Sequence, residues 1–278
     1  NNLASLQWRT AGGSWKQGMD MTPDRRATVS GVANPYNNQW RASVLGLQPN
    51  TTYEVRVTFA DSDGVSGTHP VTGTITTRND NPPSIGNSYY VTTSGNDTNP
   101  GTEAQPFKTI QRGVNVLSAG DTLYVKAGTY AEGARITISN SGTVNNYITV
   151  RNYGSDTVTV DTTGNTGLPG FGSIAPAFHV RGNYIRLKGF TTIGSNAGIY
   201  VGPTNSPAEV NPHDIIIENN ITKDNKTLAS TPGNYHGIMI GGRSENWITS
   251  VQNITVQNND IYVVEPGAIS AGSGSGPG

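Results

Sequence analysis

Short apolar segments recur in two interleaved series from residue 134 to residue 271, and a chain patterned this way has few means of burying them. One series comprises residues 134–138, 177–180, 198–201, 237–240 and 268–271; the other comprises 147–150, 184–187, 214–217 and 253–256. Equivalent positions lie about 21 to 42 residues apart, the spacing of stacked coils joined by loops of variable length. Alternation within the first series puts Phe178, Ile199, Ile238 and Ile269 in one inward column, with Val180, Val201, Ile240 and Ala271 in the next. Asn152, Gly189, Asn219 and Asn258 follow the second series at a fixed offset, and an asparagine there is expected to hydrogen-bond along the stack where the chain turns.

Upstream, Tyr89-Tyr90-Val91 reads as an opening strand. Phe107, Ile110, Val114 and Leu117 recur at helical spacing, with Pro106 near the first turn and Gly120 past the end, which predicts one short amphipathic helix. The whole pattern resembles the right-handed parallel β-helix of the pectate-lyase-like class over about residues 89–272. The segments Tyr90–Asp97, Gly101-Thr102, Pro106–Gln111 and Gly120–Thr122 resemble the N-terminal cap of its secreted members. That resemblance implies an extracellular or cell-surface protein whose partner is a polysaccharide.

Residues 1–80 read as a separate domain. The unperiodic stretch around Pro82 and Pro83 predicts a linker over 81–88, and the β-helix with its cap helix then runs over 89–278. Leu47-Gln48-Pro49-Asn50-Thr51-Thr52-Tyr53-Glu54-Val55-Arg56-Val57 resembles the corner of a fibronectin type III domain at which a tyrosine hydroxyl caps the preceding turn. Leu6 to Trp15 resembles that family's third and fourth strands. The expected fold class is therefore all-β: a right-handed parallel β-helix preceded by a partial fibronectin type III-like β-sandwich. The sandwich's first two strands are missing from the sequence, which implies truncation, strands donated by a neighbour, or a shorter natural variant. The start at Asn1, without a basic-then-apolar leader, reads as a mature or excised piece.

Composition narrows the function. Only 13% of residues are charged, and 35 glycines and 16 prolines favour turns and short strands over helices. A net charge of −1 provides no basic face for nucleic acid, and no run approaches the roughly 20 apolar residues that membrane insertion as a helix needs. Without cysteine there are no disulfides, thiolate chemistry or Cys-ligated metals. Five glycosylation sequons, at Asn50, Asn96, Asn220, Asn225 and Asn253, are no more than the abundance of Asn, Ser and Thr accounts for.

In the resembled class sugar chains lie along one outer face, taken to be that of the first series. Its outward positions, Thr137, His179, Tyr200, Met239 and Ser270, make a mostly neutral stripe expected to be exposed. There Tyr200 is placed to stack a sugar ring and His179 to exchange protons, the alternative being that both are ordinary exposed strand residues. Elimination on a uronate requires a cation to neutralise the carboxylate and a base to take the C5 proton. Arg243 is assigned the first role and His236 or Lys223 the second, with Tyr235 and Glu245 beside them as substrate-binding residues. The bland alternative is that His236 caps a strand while Arg243 and Glu245 pair at the surface.

A glycosidase would need two carboxylates across one bond. Of Glu209, Asp214, Glu218, Asp224 and Glu245, the pair Asp214 and Glu218 brackets a strand of the other series. No Asp-rich cluster stands where a calcium site would need one, so neither metal nor cofactor is expected. The sequence thus points to a β-helix that binds or processes polysaccharide, with β-elimination as the favoured reaction. The competing class is a structural, adhesive or filament-forming surface protein that self-associates through unpaired strand edges.

Overall fold

In the computed structural model the chain divides into two compact units, Asn1–Asn81 and Pro82–Gly278. The structure describes residues 3–29, 32–33, 38–79, 81–82, 85–164, 175–195, 197–203, 212–223, 236–241, 251–262 and 269–271.

The first unit is antiparallel. Its main sheet runs Lys16–Gln17, Leu3–Thr10, Thr52–Ala60, Val71–Thr76, with Leu6 opposite Val57 and Trp8 opposite Val55. Alternation gives that sheet one apolar face, on which Tyr53 is buried with its ring edge-on to Trp8 at 5.4 Å. The Tyr53 hydroxyl accepts the Gln48 backbone N–H at 2.8 Å and so ties down the turn before its own strand. Farther across the same face Val71 and Ile75 are 51% and 55% exposed.

The second unit is built of parallel strands in three sheets. The first sheet contains Ser88–Val91, Thr122–Val125, Ile148–Asn152, Ile185–Lys188, His213–Glu218 and Gln252–Gln257. The second contains Gly128–Tyr130, Val158–Asp161, Phe190–Ile193, Ile221–Thr222 and Asp260–Ile261. The third contains Ile136–Ile138, Pro176–Val180, Ala197–Val201, His236–Ile240 and Ile269–Ala271. The chain visits the sheets in turn, so each circuit makes one coil lying on the last.

The two apolar series of the sequence are the third and first sheets. In register, Ile136 pairs with Phe178, then Ile199, Ile238 and Ile269, and the column from Ile138 runs through Val180, Val201 and Ile240 to Ala271. Leu123, Val150, Leu187 and Ile217 face them from the first sheet, all without solvent exposure. Phe178 and Phe190 meet in the interior with ring centroids 4.9 Å apart. At roughly 25 cal/mol per Å² of apolar area removed from water, such columns supply the main drive to stack.

The helix is shorter than its spacing suggests. It spans Ile110–Val116 with Thr109 as N-cap, so Pro106 lies outside it and Phe107 bridges the opening strand at Val91. Carboxylates set this start: Asp97 accepts the N–H groups of Lys108 and Thr109, and Glu132 accepts those of Ile110 and Gln111. Ile110 and Val114 face inward over the first coil.

The asparagine ladder is displaced by one residue from its expected place. Gly189, Asn219 and Asn258 stand at the corner with φ of 80°, 53° and 53°, left-handed values that Gly and Asn tolerate best. The buried hydrogen bonds belong to the next residue. Asn220 accepts the Phe190 N–H at 3.0 Å and donates to the Leu187 carbonyl at 3.2 Å, while Asn259 accepts from Asn220 and donates to the Ile217 carbonyl at 2.9 Å. Complete burial also removes Asn220 from the sequons that a glycan could reach.

Replacing Asn220 with Ala is expected to leave the Phe190 N–H unpaired and to take a side-chain donor from the Leu187 carbonyl, lowering stability by about 1 to 3 kcal/mol. Asn219→Gly keeps the left-handed corner and should cost under about 1 kcal/mol. Equal shifts of the urea midpoint in the two variants would refute this assignment.

Candidate functional site

Because Ile136, Ile138, Phe178 and Val180 point inward, Thr137 and His179 point outward, followed on the next coils by Tyr200 and Met239, while Arg135 precedes the first of these strands and Arg181 follows the second. This outer face of the third sheet is where the sequence places a groove.

The expected exposed stripe is not there. His179 and Tyr200 are completely buried and Met239 is nearly so. Their rings stack on each other at 5.0 Å with 30° between planes. His179 Nε2 donates to the Gly202 carbonyl at 2.9 Å, and the Tyr200 hydroxyl donates to the Pro203 carbonyl at 3.0 Å. A Cβ on Gly202 would lie 2.4 Å from the Tyr200 hydroxyl and 2.2 Å from the Gly241 carbonyl, so the backbone closes over the tyrosine only because no side chain stands there. Neither ring can receive a sugar, and both act by holding the chain that leaves the strand ends. The outward parity was legible; its burial was not, because the covering backbone comes from beyond the strand itself.

Two cations at the ends of these strands are not among the residues the sequence pattern singles out. Arg135 and Arg181 are half-buried, and the Arg135 Nε has lost its contact with water without a hydrogen-bond partner. Burial first, and then the positive charge of Arg181, pushes the Arg135 pKa down, so these two guanidiniums act on each other. Each stands two residues from an outward position already identified, Thr137 or His179, and the same alternation would have found them.

Lys223 is exposed at the end of the second sheet's Ile221–Thr222 strand, its N–H donating to the Thr192 carbonyl. His236 is half-buried and opens the next strand of the same coil, opposite Ala197 in the third sheet. Tyr235, Arg243 and Glu245 lie outside the described residues, as do Glu209 and Asp224.

Asp214 and Glu218 belong to the first sheet, away from this face, and each carboxylate is engaged. His213 Nδ1 lies 2.7 Å from Asp214. Glu218 receives Arg186 at 2.6 Å, Gln257 at 2.8 Å and Lys188 at 3.5 Å with its side chain only 5% exposed. Burial pushes the Glu218 carboxyl up, but the Gln257 hydrogen bond and the two cations outweigh it and hold the group below its usual range. Among the described residues no cluster of His, Asp and Glu could hold a metal ion, and no helix is long and apolar enough to cross a membrane.

A stack of coils in three parallel sheets, capped by a short helix, defines a parallel β-helix protein. The family described as "Pel9A-like, right handed beta helix region" matches residues 89–263, more than half of the sequence, and the chain belongs to that family. It is 36% identical over 75 residues to the uncharacterized protein YwoF of Bacillus subtilis, covering 27% of this chain and 16% of that one. Over 72 residues it is 36% identical to the pectate lyase PEL9 of Emericella nidulans, covering 26% of this chain and 18% of the lyase. The alignments thus cover less than a fifth of either relative. The lacto-N-biosidase of Eubacterium ramulus shares the fold at a TM-score of 0.53 and 16% identity, over 68% of this chain and 36% of that enzyme.

Two outcomes follow from this geometry. Tyr200→Phe removes the hydrogen bond to Pro203 and should lower stability by about 1 kcal/mol in urea denaturation. Its oligosaccharide affinity should stay unchanged, since the ring touches no solvent. Glu218, its folded pKa depressed, stabilises the fold fully above the unfolded glutamate value of about 4.3. That contribution is lost as the pH falls through the lower folded value. Glu218→Gln should therefore flatten the acid limb of the urea midpoint against pH, and an unaltered limb would count against the Arg186–Glu218–Lys188 cluster as its source.

Proposed function

We propose that this chain is the β-helix of an extracellular or surface-bound protein that processes an acidic polysaccharide, and that its reaction is β-elimination. The observation that carries this reading is the pair Arg135 and Arg181 at the ends of the third sheet's first two strands, with the Arg135 Nε shut off from water and lacking a partner. Two cations held at one face of a chain whose net charge is −1 suit an anionic ligand, and a row of uronate carboxylates supplies that anion at each sugar. Membership of the Pel9A-like family and the lyase among the relatives support the same class of substrate.

In this reaction a cation neutralises the uronate carboxylate, a base removes the C5 proton, and the bond to the C4 oxygen breaks to leave an unsaturated sugar. His236 and Lys223, on consecutive strands of one coil, are the candidate bases. Arg243 is proposed to neutralise charge, with Tyr235 and Glu245 as substrate-binding residues. The first unit is proposed as a fibronectin type III-like module, a reading supported by the Tyr53 to Gln48 hydrogen bond, and to serve as a spacer or binding element.

Incubating the protein with polygalacturonate, alginate and a neutral galactan is expected to release product absorbing as an unsaturated uronate from an acidic polymer alone. His236→Ala or Lys223→Ala should lower the rate by about a hundredfold or more if that group is the base. Arg135→Ala with Arg181→Ala should mainly raise KM. New reducing ends without the chromophore would replace elimination with hydrolysis, and no product from any polymer would reject the enzyme reading.

A further inference from the structure

The first sheet carries a second surface suited to sugars, on a different side of the coil from the third sheet. Its outward column runs in register through Tyr90, Tyr124, Arg151, Lys188, Glu218 and Gln257. Tyr90 and Tyr124 stack with centroids 5.4 Å apart and 24° between planes. Tyr153, 37% exposed just beyond the Ile148–Asn152 strand, stands edge-on to both at 6.0 and 5.8 Å. Lys126 Nζ lies 5.7 Å from the Tyr90 ring and 5.2 Å from the Tyr153 ring, and the Arg151 guanidinium lies 5.9 Å from Tyr124. None of these rings fills the core, whose wall here is Leu123, Val125 and Val150.

We infer that the Tyr90–Tyr124–Tyr153 cluster and its flanking cations form a binding subsite for an acidic polysaccharide, separate from the face of Arg135 and Arg181. Tyrosine faces accept the C–H side of a pyranose, and a cation at the ring edge meets a carboxylate on that sugar. Around the rings Lys126 and Arg151 supply the cations, with Glu103 on Lys126 at 3.1 Å and Asp156 held on the Ala127 N–H, while Arg186 and Lys188 are engaged by the buried Glu218. Successive coils are about 4.8 Å apart, a step comparable to one pyranose unit, so neighbouring sugars can address neighbouring coils. The subsite shares with the proposed function its class of ligand and none of its residues. Its service is to hold a long polymer while another face engages it.

Affinity electrophoresis of the whole chain through gels containing polygalacturonate, alginate or neutral galactan tests this. Retardation is expected in an acidic gel and not in the neutral one. Tyr153→Ala and Lys126→Gln should each weaken it about tenfold, equivalent to about 1.4 kcal/mol, with thermal unfolding and any elimination rate on short oligosaccharides unchanged. Lys126→Gln keeps the test open if removal of the tyrosine perturbs folding. His236→Ala should leave retardation intact, so a protein that is retarded through these tyrosines but forms no unsaturated product would sustain the subsite while rejecting the reaction. No retardation of the unmodified chain by any acidic polymer would overturn the inference. So would full retardation of both folded variants.

Discussion

Everything in the larger unit depends on parallel hydrogen bonding between successive coils. A strand such as Ala197–Val201 has its backbone groups satisfied only by the strands before and after it, Pro176–Val180 and His236–Ile240. A slip of one residue would expose an inward column and bury an outward one, so register and apolar alternation enforce each other. Corners face the same demand, and the buried Asn220 and half-buried Asn259 meet it with side-chain amides where the chain turns too sharply for strand pairing.

With the interior so committed, variation is left to the outer faces, and they differ in kind. The third sheet's face carries a sealed His179–Tyr200 stack, whose hydrogen bonds hold backbone rather than ligand, with Arg135 and Arg181 at the ends of its strands. The first sheet's face passes from tyrosines to a buried charge cluster centred on Glu218. The first sheet's face joins solvent-exposed tyrosine to its cations where the third sheet's rings are sealed, and one rigid scaffold can present both because each coil step is fixed. The antiparallel first unit solves edge and burial differently, with the Tyr53 hydroxyl fastening a turn across one apolar face.

Much of this was legible in the sequence, and the omissions have physical causes. Two of the three sheets showed themselves through alternation over four or five residues. The second sheet did not emerge as a repeat, because strands such as Ile221–Thr222 and Asp260–Ile261 are too short to carry a period. The sequence pattern overstates the helix because Phe107 and Leu117 fit its spacing, whereas the carboxylates of Asp97 and Glu132 decide where its first turn begins. The ladder was placed at Asn219 instead of Asn220, for adjacent asparagines look alike until one adopts a left-handed φ of 53° and the other turns inward. Arg135 and Arg181 were within reach of the same parity argument that found His179.

The sequence by itself determined the inward half of the structure. Every second residue of Phe178, Ile199 and Ile238's strands must leave water, and that local requirement fixes stacking, register and the parallel coil. Only the tertiary structure decided the fate of the outward half. Whether a residue such as Tyr200 meets solvent or the backbone of Pro203 and Gly241 depends on where later chain passes, which no local pattern encodes.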